Sequence, residues 1–370
     1  MARILMVSKP IAPPWNDSSK NLVRDIASYT LRHHATVMTQ RGDEPPLRAV
    51  TCEPVYGRRT SRFAPALRDN AQVLLRLLTG SRHDIWHFFF APNPRSSAAG
   101  RLAARARRVR TVQTVCSAPR AGVDLPRLLF ADLTVVLSRY TEAIALRAGV
   151  PPDTLRCIAP AVAPLEPPAE SDLRRLRLQF GLAPESPLIV YPGDLEVSQA
   201  AERMLRAHVL LQREHGAQLA LACRAKTPRA REHEQRLRAL AHTLGIESSV
   251  RFIGETPQIH GLLAAAEVVA LPAEDLYAKM DLPLVLIEAM LLGRAVVVAE
   301  GTPAAELCDG DAAVAVPADA DAVAHAISGL LRDPQGRAQL GARARAAALA
   351  RHHPAVVASA YEALYDELLR

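Results

Sequence analysis

Short, uninterrupted apolar runs alternate with longer amphipathic segments along most of the chain, and no other feature narrows its fold so far. In the first half the runs cover residues 4–7, 36–38, 85–89, 111–115, 133–137 and 156–158. In the second they cover 188–191, 219–222, 251–253, 268–271, 295–298 and 313–316. Between them lie segments with apolar residues at helical spacing, such as 21–31, 200–213, 232–244 and 320–331. A strand that is apolar at every position, rather than at alternate ones, is covered on both faces. Parallel strands joined by crossover helices meet that condition. The pattern therefore predicts an α/β protein with helices on both sides of parallel sheets.

The alternation pauses once, at residues 160–168, which carry Pro160, Pro164, Pro167 and Pro168. A proline-rich stretch is stiff and extended and suits a linker. At 370 residues the chain has room for two cores. The expected division is an N-terminal Rossmann-like domain over 1–163, a linker over 164–172 and a C-terminal Rossmann-like domain over 173–350. A last helix over 351–370 follows, for which a return to the first domain is open. Ligands of doubly wound sheets bind at the carboxyl ends of the strands, which places the expected site in a central cleft faced by both domains.

Composition removes several alternatives. With 49% hydrophobic and 22% charged residues, general disorder is excluded. The five cysteines, Cys52, Cys116, Cys157, Cys223 and Cys308, are widely spaced, with neither zinc-site nor disulfide spacing, which fits a reducing cytoplasm. The first apolar run is too short for a signal peptide, and no stretch approaches the length of a membrane span. The formal charge of +7 attracts anions, but no nucleic-acid-binding module accompanies it. A phosphorylated small molecule or an anionic membrane surface is the expected partner, and no nucleic acid.

The most specific segment is LYAKMDLPLVLIEAMLLGRAVVVAEGTPAAE, residues 276–306. It reads as a loop, a helix entered through Asp281-Leu282-Pro283, a terminating Gly293 and a strand. Pro283 suits a helix start. Unpartnered first-turn amides together with the helix dipole make an anion site suited to a diphosphate. Glu288 lies one turn in, where a carboxylate either accepts from ribose hydroxyls or is simply solvated.

With its flanks, VRFIGETPQIHGLLAAAEVVALPAEDLYAKMDLPLVLIEAMLLGRAVVVAEGTPAAEL, this segment resembles the core of glycosyltransferase family 4, whose members have the GT-B fold and retain anomeric configuration. The resemblance is strong over about residues 185–335 and weak over most of the rest. It implies a transfer of sugar from a nucleoside diphosphate sugar, UDP- or GDP-linked, to an acceptor hydroxyl on a glycan, glycolipid or small molecule. The nucleotide sugar is a co-substrate, and neither cofactor nor metal is implied. By the resemblance Glu288 is the second glutamate of the family's E-x7-E motif and contacts the donor ribose. Pro283, Leu284 and Val285 lie where backbone amides meet the phosphates, and Glu306 matches the acidic residue after the next strand.

The departures are equally specific. The first glutamate of the motif falls at Met280, with Asp281 beside it as the candidate stand-in. The family carries an Arg and a Lys at the start of the donor domain. Here Gly193 is kept, but Asp194 and Gln199 take those places, so the usual cationic clamp is missing. Arg224 and Lys226, after the run 219–222, and Lys279, before the phosphate helix, are the candidate replacements. Leaving-group stabilisation is chiefly electrostatic and does not require cations from one particular strand. Catalytic candidates are thus Asp281, Glu288, Arg224 and Lys226.

In the first domain the loop after residues 4–7 supplies Trp15, Asn16, Asp17 and Lys20 as acceptor-side candidates, Asp17 being also a good helix N-cap. His87 ends a strand, in either an acceptor-side or a structural role. The family frequently places a His after the following strand. Ser117 and Arg120 occupy that region here. Arg101, Arg105, Arg107, Arg108 and Arg110 form a basic cluster, read either as a solvated helix face or as a peripheral contact with anionic membrane at the inner face. The lost motif residues keep one alternative in view: a GT-B protein that binds nucleotide sugar or a partner without transfer.

Overall fold

The computed structural model describes residues 1–42, 45, 47, 49–57, 67–90, 92–117, 122–225, 227–277 and 279–370. The chain divides into two compact units. Unit 1 comprises Met1–Ala163, Tyr277–Leu282 and Arg351–Arg370; unit 2 comprises Pro164–Leu276 and Pro283–Ala350.

Unit 1 is built on seven strands: β1 (Arg3–Val7), β2 (His34–Gln40), β3 (Val50–Tyr56), β4 (Ile85–Phe89), β5 (Arg110–Val115), β6 (Leu133–Val136) and β7 (Leu155–Cys157). Their order is β3-β2-β1-β4-β5-β6-β7, every pairing parallel. The helices are α1 (Ser18–Tyr29), α2 (Leu67–Thr79), α3 (Pro94–Arg107), α4 (Leu125–Leu128) and α5 (Arg139–Arg147). The C-terminal helix α13 (Pro354–Leu369) completes the unit. It is fixed by buried Tyr361 and Tyr365 and by Glu362, which accepts from the amide of Leu31 at 2.7 Å. Strand β3 escapes the sequence pattern. It is an edge strand with Pro54 inside it and no continuous apolar face, and proline is tolerated only at such an edge.

Unit 2 has six parallel strands, β8 (Leu188–Tyr191), β9 (Gln218–Leu221), β10 (Val250–Phe252), β11 (Val268–Leu271), β12 (Ala295–Ala299) and β13 (Val314–Val316), in the order β10-β9-β8-β11-β12-β13. Its helices are α6 (Glu170–Gln179), α7 (Ala200–His215), α8 (Pro228–Thr243), α9 (Ile259–Ala264), α10 (Leu284–Leu291), α11 (Ala320–Arg332) and α12 (Pro334–His352), the last two residues of α12 being counted with unit 1. Residues 160–169 carry no regular secondary structure, and α6 begins at Glu170. Every residue of β8, β11 and β12 is buried, as their unbroken apolar runs require. Helix α10 is apolar on almost every side and six of its eight residues are buried, the pattern of a helix enclosed by its neighbours.

His208 and His352 are held neutral by burial inside this frame. His208 bonds Ser249 Oγ at 3.0 Å, His352 bonds the Pro160 carbonyl at 2.9 Å, and burial lowers each to about 4. Between its folded and unfolded values a depressed histidine binds fewer protons folded than unfolded. Its stabilising effect is therefore complete above about pH 6.5 and is lost as pH falls toward about 4. Each should remove up to about 1.4 kcal/mol of unfolding free energy per pH unit in that window. Urea unfolding at about pH 7, 6 and 5 reads this directly. A flat profile would count against neutral buried imidazoles.

Candidate functional site

In unit 2 the strand order reverses between β8 and β11, so the loops at their carboxyl ends are the expected ligand loops. The loop after β8 opens with Pro192-Gly193-Asp194. Tyr191 is fully buried, and its hydroxyl donates to the Asp194 carbonyl at 2.9 Å. A Cβ on Gly193 would stand 1.9 Å from the Tyr191 ring, so only glycine fits over that side chain. Asp194 Oδ1 accepts from the amides of Glu196 at 3.0 Å and Val197 at 2.6 Å. Where the family carries an arginine, this chain has a carboxylate that folds the loop onto itself. Glu274, after β11, accepts from the Gln199 amide and from Arg203 Nη1, each at 2.8 Å, and ties the two loops together. Burial raises the Glu274 carboxyl, but these donors outweigh it and hold it below its ordinary range.

Helix α10 starts at the end of the β11 loop. Its N-cap is Pro283, in extended conformation, and no side chain caps the first turn. The amides of Leu284 and Val285 thus head a helix whose partial positive charge is not met by a capping oxygen. Pro283 and Leu284 are buried and Val285 partly so. Glu288 follows one turn later, its side chain 14% exposed, with Oε2 at 3.5 Å from His260 Nε2. No sequence signal singles out His260, on α9, because only the packing of α9 beside α10 brings it to Glu288. Glu306 lies partly buried in a 3-10 helix, Pro303–Cys308, after β12. Arg224, after β9, pairs with Glu255 at 3.4 Å. Lys226 lies outside the described residues. Gly193, Arg224, Pro283 to Val285, Glu288 and Glu306 all follow carboxyl ends of strands in this one sheet.

Asp281 requires a correction. It belongs with unit 1 and is fully buried. Its carboxylate accepts from Ser138 Oγ at 2.6 Å and Thr141 Oγ1 at 2.7 Å, and its amide donates to the Cys116 carbonyl at 2.9 Å. An oxygen pair enclosed in this way does not take the place of the missing glutamate at a ribose. Met280, at the motif position itself, is buried as well. Lys279, partly buried, is counted with the same segment of unit 1.

In unit 1 the order reverses between β1 and β4, and the loop after β1 carries most acceptor-side candidates. Asp17 caps α1, accepting from the Ser19 amide at 3.0 Å and Ser19 Oγ at 2.6 Å, and pairs with Lys9 at 2.8 Å. Burial raises its carboxyl, but Lys9 and Ser19 together hold it below the ordinary value. The Trp15 ring has the Arg24 guanidinium 4.8 Å and Lys20 Nζ 5.7 Å from its centroid, and Lys20 also donates to the Pro14 carbonyl at 3.2 Å. Asn16 is exposed, and Ser117 is partly buried just beyond β5. Arg120 lies outside the described residues.

His87 is also corrected. It is fully buried, Nδ1 bonded to Tyr365 Oη and Nε2 to Thr114 Oγ1, each at 2.7 Å, and burial holds its pKa well below the ordinary value. It joins β4 and β5 to α13 and presents nothing to an acceptor. Within the basic cluster, Arg101 donates to the Arg127 carbonyl and Arg107 to the carbonyls of Leu78 and Gly80. Arg105, Arg108 and Arg110 are exposed, as is Leu102. Among the described residues no three His, Cys, Asp or Glu side chains are grouped as a metal site. Among them, too, no helix is long and apolar enough to cross a membrane.

Two parallel sheets flanked by helices give this chain the GT-B fold. Residues 186–333 match the family described as Glycosyl transferases group 1. The chain is 29% identical over 223 residues to a GDP-mannose-dependent alpha-(1-6)-phosphatidylinositol monomannoside mannosyltransferase of Mycolicibacterium smegmatis, a match covering 58% of this chain and 57% of that protein. Among solved structures, HepE of Anabaena in complex with UDP and glucose superposes with a TM-score of 0.79 at 19% identity, covering 99% of this chain and 100% of that one. Sucrose-phosphate synthase of Thermosynechococcus elongatus follows with a TM-score of 0.75 at 19% identity, covering 100% and 99%.

Proposed function

We propose that this protein transfers a sugar, with retention of configuration, from a UDP- or GDP-linked donor to an acceptor hydroxyl. The observation that carries this reading is the uncapped first turn of α10 with the shielded Glu288 one turn behind it, inside the stretch that matches a glycosyltransferase family. The amides of Leu284 and Val285 receive the diphosphate and Glu288 the ribose. Arg224, and Lys226 beside it in sequence, supply positive charge as the diphosphate leaves. Positive charge and helix dipole together stabilise the departing group without a metal, so a chelator should leave activity unchanged. The phosphatidylinositol monomannoside in the relative's name and the exposed Arg105, Arg108, Arg110 and Leu102 favour an acceptor met at an anionic membrane surface, on the cytoplasmic side.

The test is incubation with a panel of UDP-, GDP- and dTDP-sugars, with and without candidate acceptors, while nucleotide release is followed. Turnover of one donor is the expected result. The buried Met280 and enclosed Asp281 favour a second reading, a protein that binds nucleotide sugar without transfer. Binding with no release under any condition would select it. Arg224→Ala should weaken donor binding about tenfold, the effect of losing one charge-assisted contact to phosphate. Calorimetric titration measures it, and an unchanged dissociation constant would remove Arg224 from the clamp.

A further inference from the structure

We propose that His260 is a second ribose-binding residue: its Nε2 donates to the oxygen of the same nucleotide hydroxyl whose proton Glu288 accepts. The inference rests on the donor reading above, and every residue it uses belongs to unit 2. Helix α9 packs against both α6 and α10. Leu262 and Leu263 are fully buried, and Gln258 Nε2 donates to Gln179 Oε1 of α6 at 3.4 Å. Gly261 comes so near α6 that a Cβ there would stand 3.0 Å from Leu176 Cδ2. These contacts hold the backbone under His260 in place. Its side chain stays 48% exposed, on the helix that follows the carboxyl end of β10, beside the shielded carboxylate of Glu288.

The 3.5 Å from His260 Nε2 to Glu288 Oε2 is a gap that one hydroxyl can bridge. A closed charge-assisted pair has its heavy atoms about 2.7–2.9 Å apart, so imidazole and carboxylate do not saturate each other. A hydroxyl oxygen about 2.7–3.0 Å from each fits beside the pair. A ribose hydroxyl has one proton to give and two lone pairs that accept. A carboxylate takes the proton and leaves the lone pairs unmet; Nε2–H fills one of them. The hydrogen bonds from imidazole to hydroxyl and from hydroxyl to carboxylate then run in one direction, and each polarises the other. A hydroxyl held from both sides distinguishes a ribonucleotide from its deoxy form more sharply than the carboxylate alone.

Calorimetry on the full chain tests this with UDP, GDP and the 2′-deoxy and 3′-deoxy forms of each. The variants are His260→Ala, His260→Phe, which keeps a ring without the donor, and His260→Gln, which keeps an N–H donor at similar reach. The alanine and phenylalanine variants should each bind the ribonucleotide about fivefold more weakly, the effect of one neutral hydrogen bond. They should bind one of the two deoxy forms as wild type does, since the hydroxyl that His260 serves is already gone. His260→Gln should recover part of the loss. Equal weakening toward the ribonucleotide and both deoxy forms would overturn the proposal, since a merely structural role gives that result. Wild-type affinities in both donor-free variants would overturn it too, while leaving the donor reading intact. If the wild-type chain binds neither UDP nor GDP, the donor reading falls and this inference falls with it.

Discussion

Replacing Glu288 with alanine is expected to lower kcat/KM for the sugar donor by about a hundredfold or more, with little change in stability. The side chain is 14% exposed and its recorded partner, His260, is distant at 3.5 Å, so the carboxylate is shielded without being consumed by the fold. Two ribose hydroxyls donating to it would contribute about 1.5–3 kcal/mol each, and each 1.4 kcal/mol is about a factor of ten. Glu288→Gln retains an acceptor oxygen and should lose less, about tenfold. Stability is spared because alanine is the better helix former and no buried network is cut. Steady-state kinetics with donor varied, beside thermal unfolding, gives both quantities. Alanine-variant kinetics equal to wild type would remove Glu288 from the donor site.

Gly341→Ala is expected to cost about 3 kcal/mol of unfolding free energy. Gly341 lies in α12, and a Cβ there would stand 2.1 Å from the carbonyl oxygen of Gly293 and 2.9 Å from its carbonyl carbon. Both are backbone atoms of the turn that ends α10, where Gly293 has φ of +70°. No rotamer change relieves such a clash, so either α12 or the end of α10 must shift. Donor affinity should fall along with stability, because the displaced end belongs to the helix whose first turn is proposed to receive the diphosphate. Gly329→Ala in α11 is the control. Nothing lies within 4 Å of its Cβ position, and relief of the glycine penalty should stabilise by up to about 1 kcal/mol. Urea unfolding of both variants measures the contrast, and equal stabilities would show that the close approach of α12 to Gly293 is not required.

What could be read from the sequence follows from what is local in it. Strands Ile85–Phe89, Leu188–Tyr191 and Val268–Leu271 stand out because burial on both faces leaves them no polar residue outside His87. Helix α12 does not, since Leu340 is the one large apolar side chain among its buried residues and Ala344 and Ala348 carry little hydrophobic periodicity. The start of α10 is legible because Pro283, the first-turn amides and Glu288 lie within six residues of continuous chain. Asp281 was misread for the opposite reason. Its partners Ser138 and Thr141 are 143 and 140 residues away, and proximity in sequence to the motif says nothing of which unit a side chain enters. For His87 the sequence leaves two roles open, and only Tyr365, from the far end of the chain, decides for the structural one.

The most direct measurement is a crystal structure of the protein with UDP or GDP bound. The diphosphate is expected at the N-terminus of α10, with oxygens within hydrogen-bond distance of the Leu284 or Val285 amides and both ribose hydroxyls directed at Glu288. A diphosphate bound elsewhere, with Glu288 turned to solvent or held by His260 alone, would contradict it.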